Sequence, residues 1–299
     1  MKTKTLLIVA ALLMVFGILL FGGTMMALNW NFKALSTSKY ETHTHTVTEA
    51  YQHIRIEAAT ADVVFLPSEN EKTEIAVFEN QHVTHTVKNE NGTLHISDVD
   101  NRRWYHRIGI NFDTPTITVC LPRASYESLS ITVTTGDVTL PEGYTFHSLT
   151  VSTTTGDVTL KGEVTNDATV CTTTGDIEIK SFSANALLVS LTTGDITLDG
   201  VRADTLSLSG GTGDARLSDV IGTSSLSVDY TTGDIMLDRC DAAALSLKTT
   251  TGDISGSLLS PKAFTYSTTT GDVKLPDCVA DSTCSLKTTT GDVHIVIAD

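Results

Sequence analysis

The sequence predicts an all-β protein: a parallel β-solenoid of about nine 19–20-residue coils, with an N-terminal β cap and one transmembrane helix before it. Three observations carry the prediction. The tripeptide Thr-Gly-Asp occurs nine times, with its glycine at 136, 156, 175, 194, 213, 233, 252, 271 and 291, so every interval is 19 or 20 residues. A period this short and even belongs to a chain that winds one coil per repeat and stacks each coil on the last. Apolar residues keep fixed offsets from that glycine. In the fourth repeat Leu187 and Val189 lie seven and five residues before it, and Ile196 and Leu198 two and four after it. Pairs two residues apart are strand patterning. The repeats are also rich in Thr, Ser, Val and Asp, with no run at helical period.

The elements follow in chain order. Residues 1–28 read as a membrane anchor, because Leu6–Leu28 is apolar apart from Gly17, Gly22, Gly23 and Thr24. Such a run spans a hydrocarbon core of about 30 Å as a helix. Lys2 and Lys4 precede it, which keeps the N-terminus cytoplasmic and places the remainder outside the cell membrane. A cleaved signal peptide is the competing reading. No small-x-small cleavage site or lipobox cysteine follows, which favours an uncleaved signal anchor. Residues 29–50 are polar and rich in Thr and Ser, a short juxtamembrane linker.

Residues 51–128 read as the β cap with a degenerate first coil. Ile54, Ile56, Val63 and Phe65 take the inward places, Ala61 that of the glycine and Asp62 that of the aspartate. Strand-like runs follow at 74–78, 83–88, 93–97 and 108–121, and Pro122 ends the last. Residues 129–299 form the repeat solenoid, roughly 40 Å long at strand spacing. A further inward column stands seven residues after the glycine: Phe182, Val201, Val220, Cys240, Leu259 and Cys278. Only Gly256 interrupts the column four residues after it. Tyr230 and Tyr266 are the only aromatics near the corners; Tyr266 falls in an inward column and is expected to be buried, which leaves Tyr230 as a weak exposed stripe. Asp299 comes four residues after the last inward position, Ile295, so no sorting signal or second domain is expected to follow.

The five cysteines show no zinc spacing. Cys240 and Cys278 share a column two coils apart, about 9.6 Å at strand spacing and too far for a disulfide. Cys278 and Cys284 are six residues apart across a bend and close enough in sequence to pair, although small buried hydrophobes describe these residues more simply. Cys120 and Cys171 have no evident partner.

The candidate sites are few. The corner aspartates Asp137, Asp157, Asp176, Asp195, Asp214, Asp234, Asp253, Asp272 and Asp292 form a column. Neighbouring carboxylates there repel by about 1 kcal/mol per pair in water. Backbone N–H groups at the turn or a ladder of cations, calcium among them, would offset that. Calcium wants six to eight oxygens, and one Asp with one Thr per coil supplies them thinly. The adjacent threonine column sits at a corner rather than on a flat strand, which argues against ice binding. The stretch Arg102, Arg103, Trp104, Tyr105, His106, Arg107 is basic and aromatic, a loop able to meet an anionic partner. His43-x-His45 and His82-x-x-His85 lie on polar segments, where either pair could bind a metal adventitiously. A net charge of −15 argues against nucleic acid and against attraction to anionic lipid or wall polymer. No nucleophile elbow, phosphate loop or carboxylate pair is present, and uniform coils leave little pocket for an enzyme. No cofactor is expected.

The opening Ile54–Val63, the strand Ile117–Pro122 and the repeated Thr-Thr-Gly-Asp-Val/Ile-x-Leu resemble the bacterial putative-adhesin family of β-strand-repeat envelope proteins, domain of unknown function 4097. The resemblance covers about residues 52–297. It implies a β-solenoid at the cell envelope, often behind one membrane segment, and supplies no catalytic or binding residues. The function expected is a non-catalytic, adhesin-like interaction module whose partner is an envelope protein or a cell-surface polymer. The alternative is a structural or regulatory accessory of an envelope-stress signalling system, and a carbohydrate-active enzyme comes third.

Overall fold

The computed structural model describes residues 3–36, 39–103 and 113–298. Helix α1 (Thr3–Ala27) comes first. Its segment Thr5–Ala27 is long and apolar enough to cross a membrane and is not covered by the rest of the protein; an N-terminal signal sequence has the same character. A short 3-10 helix (Phe32–Leu35) follows, and the regular structure after it is β, with parallel pairing throughout the repeats.

Each coil has one strand running into the Thr-Gly-Asp corner and another running away, so two sheets meet along a row of corners. Register keeps like on like: Val151 pairs with Val170, Val170 with Val189, Val189 with Leu208 and Leu208 with Val228. These residues are essentially inaccessible and belong to one continuous core. The corner demands glycine twice over. Gly175 has φ +136°, and a Cβ there would lie 2.2 Å from the carbonyl oxygen of Gly156 in the coil below.

A buried column that the offsets did not reveal lies three residues before the glycine. Thr153 and Thr172 bond one another through their hydroxyls at 2.8 Å, and Thr249 Oγ1 donates to the Gly233 carbonyl at 3.0 Å. The polar group is tolerated inside because the corner carbonyl accepts from it. Tyr230 fills this column in its own coil at 1% exposure. Its ring occupies the space above Gly210, where a Cβ would stand 2.2 Å from a ring carbon.

The coils do not all stack in chain order, which corrects the simplest reading of the repeat. Strands β1 (Tyr40–Val47), β2 (His53–Thr60), β3 (Asp62–Pro67), β4 (Thr73–Asn80), β5 (Val83–Glu90), β6 (Thr93–Asp100) and β7 (Thr116–Leu121) precede the first Thr-Gly-Asp coil, made of β8 (Ser125–Thr135) and β9 (Val138–Leu140). The coil β2–Ala61–β3 is held between β6 and β7 on one side and β8 and β9 on the other, all parallel. Beyond it β5 pairs antiparallel with β6, β4 antiparallel with β7, and β1 antiparallel with β4. The stretch 40–47, read in the sequence as linker, is thus an edge strand of the cap.

The far end repeats the device. The last coil, Thr283–Lys287 and Val293–Ile297, slots between the Gly252 coil and the Gly271 coil. The order there is Gly233, Gly252, Gly291, Gly271, and Cys240 and Cys278 stand three coils apart, not two. All five cysteines are free.

Two further expectations change with this order. Tyr266 is 60% exposed and Phe264, Val273 and Leu275 only partly buried, because their coil ends the stack. In the Gly252 coil, Gly256 takes φ +137° and shortens the turn by a residue. Leu258 therefore pairs with Cys240 in the inward column, and Leu259 is pushed to the surface.

Candidate functional site

The corner aspartates form the most regular polar array. The backbone N–H of Asp157 donates to Asp137 Oδ1 at 2.8 Å, that of Asp176 to Asp157 at 2.8 Å, and that of Asp195 to Asp176 at 2.8 Å. The ladder starts at Asp62, which accepts from the Asp137 N–H at 3.0 Å. It ends in stacking order, Asp253 accepting from Asp292 at 2.7 Å and Asp292 from Asp272 at 2.8 Å. One oxygen of each carboxylate down to Asp292 is thereby committed to an amide of the neighbouring coil, which offsets the charge repulsion along the row. Arg216 adds to this locally, its guanidinium reaching Asp195 at 2.6 Å and Asp214 at 2.8 Å. Burial pulls the Asp195 carboxyl upward, but the Asp214 N–H and Arg216 outweigh it and hold it below its ordinary value.

The other motifs scatter. Arg102 folds back on Asp100, with Nε to Oδ1 and a terminal nitrogen to Oδ2 both at 2.9 Å. That pairing, only partly opposed by burial, pushes its pKa still higher. Arg103 is placed beside it, while Trp104 and Arg107 lie outside the described residues. The two histidine pairs do not act as pairs. His43 and His85 instead converge on Glu79, which is 4% exposed, with Nδ1 to carboxylate distances of 2.8 and 2.9 Å. Among the described residues no group of three or more His, Cys, Asp and Glu is arranged to hold a metal ion. Tyr230 is buried and Tyr266 exposed, the reverse of the sequence expectation, so the corners carry no aromatic stripe.

The surface that sequence reasoning missed is the outer face of the first sheet. Its two outward columns lie six and four residues before each glycine. From β8 onward they read Ser130 and Thr132, Thr150 and Ser152, Thr169 and Cys171, Leu188 and Ser190, Ser207 and Ser209. All are exposed or half-exposed. Charge flanks them on both sides, as the pair Arg55 and Glu57 on β2 and the pair Asp229 and Lys248 at 2.6 Å. Hydroxyls thus repeat about every 4.8 Å along the stack and about 6.6 Å along each strand. The second sheet differs: its outer positions carry Glu178, Lys180, Asp199, Arg216, Asp219 and Arg239 in ion pairs or free charge. The signal was available as two columns free of charge over five successive coils in a chain of net charge −15.

The family comparison comes down to these repeats. The sequence profile described as Toastrack DUF4097 matches residues 51–254 and 225–299. The chain belongs to the Toastrack DUF4097 family. Among solved structures, this Toastrack chain resembles a putative lipid binding protein from Parabacteroides distasonis, with TM-score 0.55 and 14% identity over 87% of this chain and 98% of that one. A putative adhesin from the same species gives TM-score 0.53 and 13% identity over 87% and 98%. A putative adhesin from Bacteroides fragilis gives 0.44 and 18% over 86% and 97%. At these identities the likeness is one of fold. No curated protein matches the Toastrack chain.

Proposed function

We propose that this protein is a membrane-tethered, extracytoplasmic interaction module of the cell envelope. Residues 1–28 act as the anchor, a shorter stretch than the expected 29–50 leads from the membrane because 40–47 joins the cap, the cap extends to 128, and 129–299 present a rigid face without catalysing a reaction. The observation that carries this reading is the outer face of the first sheet: across the five coils from Ser130 to Ser209 its two columns bear no charge and mostly hydroxyls, on a protein that is otherwise strongly acidic. Such a face meets a partner over area and by many weak polar contacts, so its partner is an envelope protein or a neutral surface polymer rather than a small molecule. The names carried by relatives of this fold, adhesins above all, agree with a binding role.

Crosslinking on living cells, with Leu188→Asp and Ser207→Asp placed in the face, tests it. Capture of the envelope partner should fall sharply, while Thr197→Asp on the second sheet leaves it unchanged. Equal loss from both sheets, or hydrolysis of glycans, peptides or esters by the purified chain, overturns it. We assign the aspartate column to folding rather than to cations, since every carboxylate but that of Asp272 in the end coil already serves a neighbouring amide. Millimolar calcium should therefore leave the melting temperature unchanged, whereas bound ions would raise it by mass action.

A further inference from the structure

The end coil, Ala263–Ser267 with Val273–Lys274, pairs on one side only, with the inserted last coil. Within the repeats each corner glycine N–H donates to a threonine carbonyl of the coil above, as Gly175 does to Thr193 at 3.1 Å. At the end coil neither the Gly271 N–H nor Asp272 Oδ1 has such a partner among the described residues. An edge of this kind is a template for another strand unless something blunts it. The second half is blunted, being two residues long and followed by Pro276. Ala263–Ser267 contains neither proline nor charge and exposes Tyr266.

We propose that this end is a homotypic interface, in which Ala263–Ser267 pairs antiparallel with the same strand of a second copy about a twofold axis through Thr265. Three features select a second copy. The strand is self-complementary: centring on Thr265 sets Phe264 of each copy opposite Tyr266 of the other, a favourable aromatic cross-strand pair made twice. Charge is complementary too. With Lys262 buried against Asp241, residues 263–287 hold Lys274 and Lys287 against Asp272, Asp277 and Asp281, an excess of one negative charge, so two copies of a chain of net charge −15 meet here with little net repulsion. The opposite end shows that this stack accepts an antiparallel cover, since β5 lies on β6 and β4 on β7 in that sense. The same cover closes that end to head-to-tail growth and leaves the isologous contact. Chain connectivity then puts the two N-terminal segments at the far ends of a doubled rod. The inference is independent of the hydroxyl face.

The test uses the full chain in detergent micelles. Sedimentation should show a concentration-dependent dimer. Thr265→Lys, which sets like charges opposite one another, should weaken it by about tenfold or more without lowering the melting temperature at concentrations where the native chain is monomeric. Under oxidation Thr265→Cys should give a covalent dimer, and Ser246→Cys, in the same column of an interior coil, should not. A chain that stays monomeric, a dimer indifferent to Thr265→Lys, or equal crosslinking through position 246 overturns the proposal. Because partner capture is read separately through Leu188 and Ser207, loss of the dimer leaves that reading standing.

Discussion

The two ends of the stack solve one problem differently. Each tucks its terminal coil one place inward, so that neither the first nor the last coil of the chain is the outermost layer. The N-terminal end then reverses strand direction and adds β5, β4 and β1 as an antiparallel lid. That lid is held by Glu79, buried between His43 and His85. The C-terminal end has no lid among the described residues. Its outer coil is reached by a crossover at 259–262, latched by Lys262, a buried lysine whose ammonium donates to Asp241, to the Ala242 carbonyl at 2.7 Å and to Ser260 Oγ at 2.9 Å. All three donors are thereby satisfied, which makes burial of the charge tolerable. The difference shows that position in the stack, and not the repeat motif, decides what a residue experiences.

The sharpest way to break that comparison is one column read at two heights. Val189 and Tyr266 both stand five residues before a corner glycine, but Val189 is fully buried and Tyr266 is 60% exposed. Val189→Asp should cost several kcal/mol, about 3 or more, and Tyr266→Asp within about 0.5 kcal/mol of nothing. Urea unfolding of the full chain in detergent measures both, and similar losses would show that the end coil is as enclosed as the interior.

The latch comes next. Lys262→Met removes the only ammonium facing Asp241 among the described residues and leaves a carboxylate of 24% exposure without its cation. A loss of about 2–3 kcal/mol is expected, below the full cost of breaking a buried pair because Asp241 keeps some water and the Ala242 N–H at 2.8 Å. An unchanged midpoint would mean that the crossover holds without it.

How much of this was legible in the sequence follows the same division. Interior positions such as Val170 and Leu208 were readable because each coil repeats the offsets of its neighbours, and like residues align in register. The coil order was not readable, since the Gly271 and Gly291 repeats carry the same motif and pairing choice is a tertiary matter. Tyr230 misled for another reason. Its burial depends on Gly210, a residue one coil away whose missing side chain makes the room. Leu258 and Leu259 exchanged places because Gly256 was seen as a gap in a column rather than as a shortened turn. The hydroxyl face was present in plain view, but Ser and Thr on strands are ordinary, and only the contrast with the charged second sheet marks it.

A smaller contrast concerns the buried threonines. Thr172 Oγ1 lies 2.8 Å from Thr153 Oγ1 and 3.4 Å from the Gly156 carbonyl inside the stack, while Thr268 in the end coil is half-buried and reaches only the Gly291 carbonyl at 3.4 Å. Thr172→Val should cost about 1–2 kcal/mol, leaving Thr153 and a corner carbonyl short of a partner, and Thr268→Val about 0.5 kcal/mol or less. Equal costs would remove the distinction between interior and end corners.

The smallest effect concerns charge relief along the ladder. Arg216 bridges two interior carboxylates, whereas the same column holds Thr139 in the first Thr-Gly-Asp coil and Lys274 in the end coil. Against the upward pull of burial, the Asp214 N–H and Arg216 keep the folded Asp195 carboxyl below its usual position. A folded value lower than the unfolded one means that stability is present in full above about pH 3.9 and drains away as pH falls through the lower folded value. Arg216→Gln should remove part of that dependence. Because Arg216 and Asp195 are 45% and 39% exposed, the neutral-pH cost should be small, roughly 1 °C in melting temperature, and smaller still at high salt. The gap between variant and native chain should close as the solution is acidified below the folded value. If it persists below the folded value, where the carboxylate is protonated in both states, Arg216 acts through packing of its stem and not through the ladder's charge.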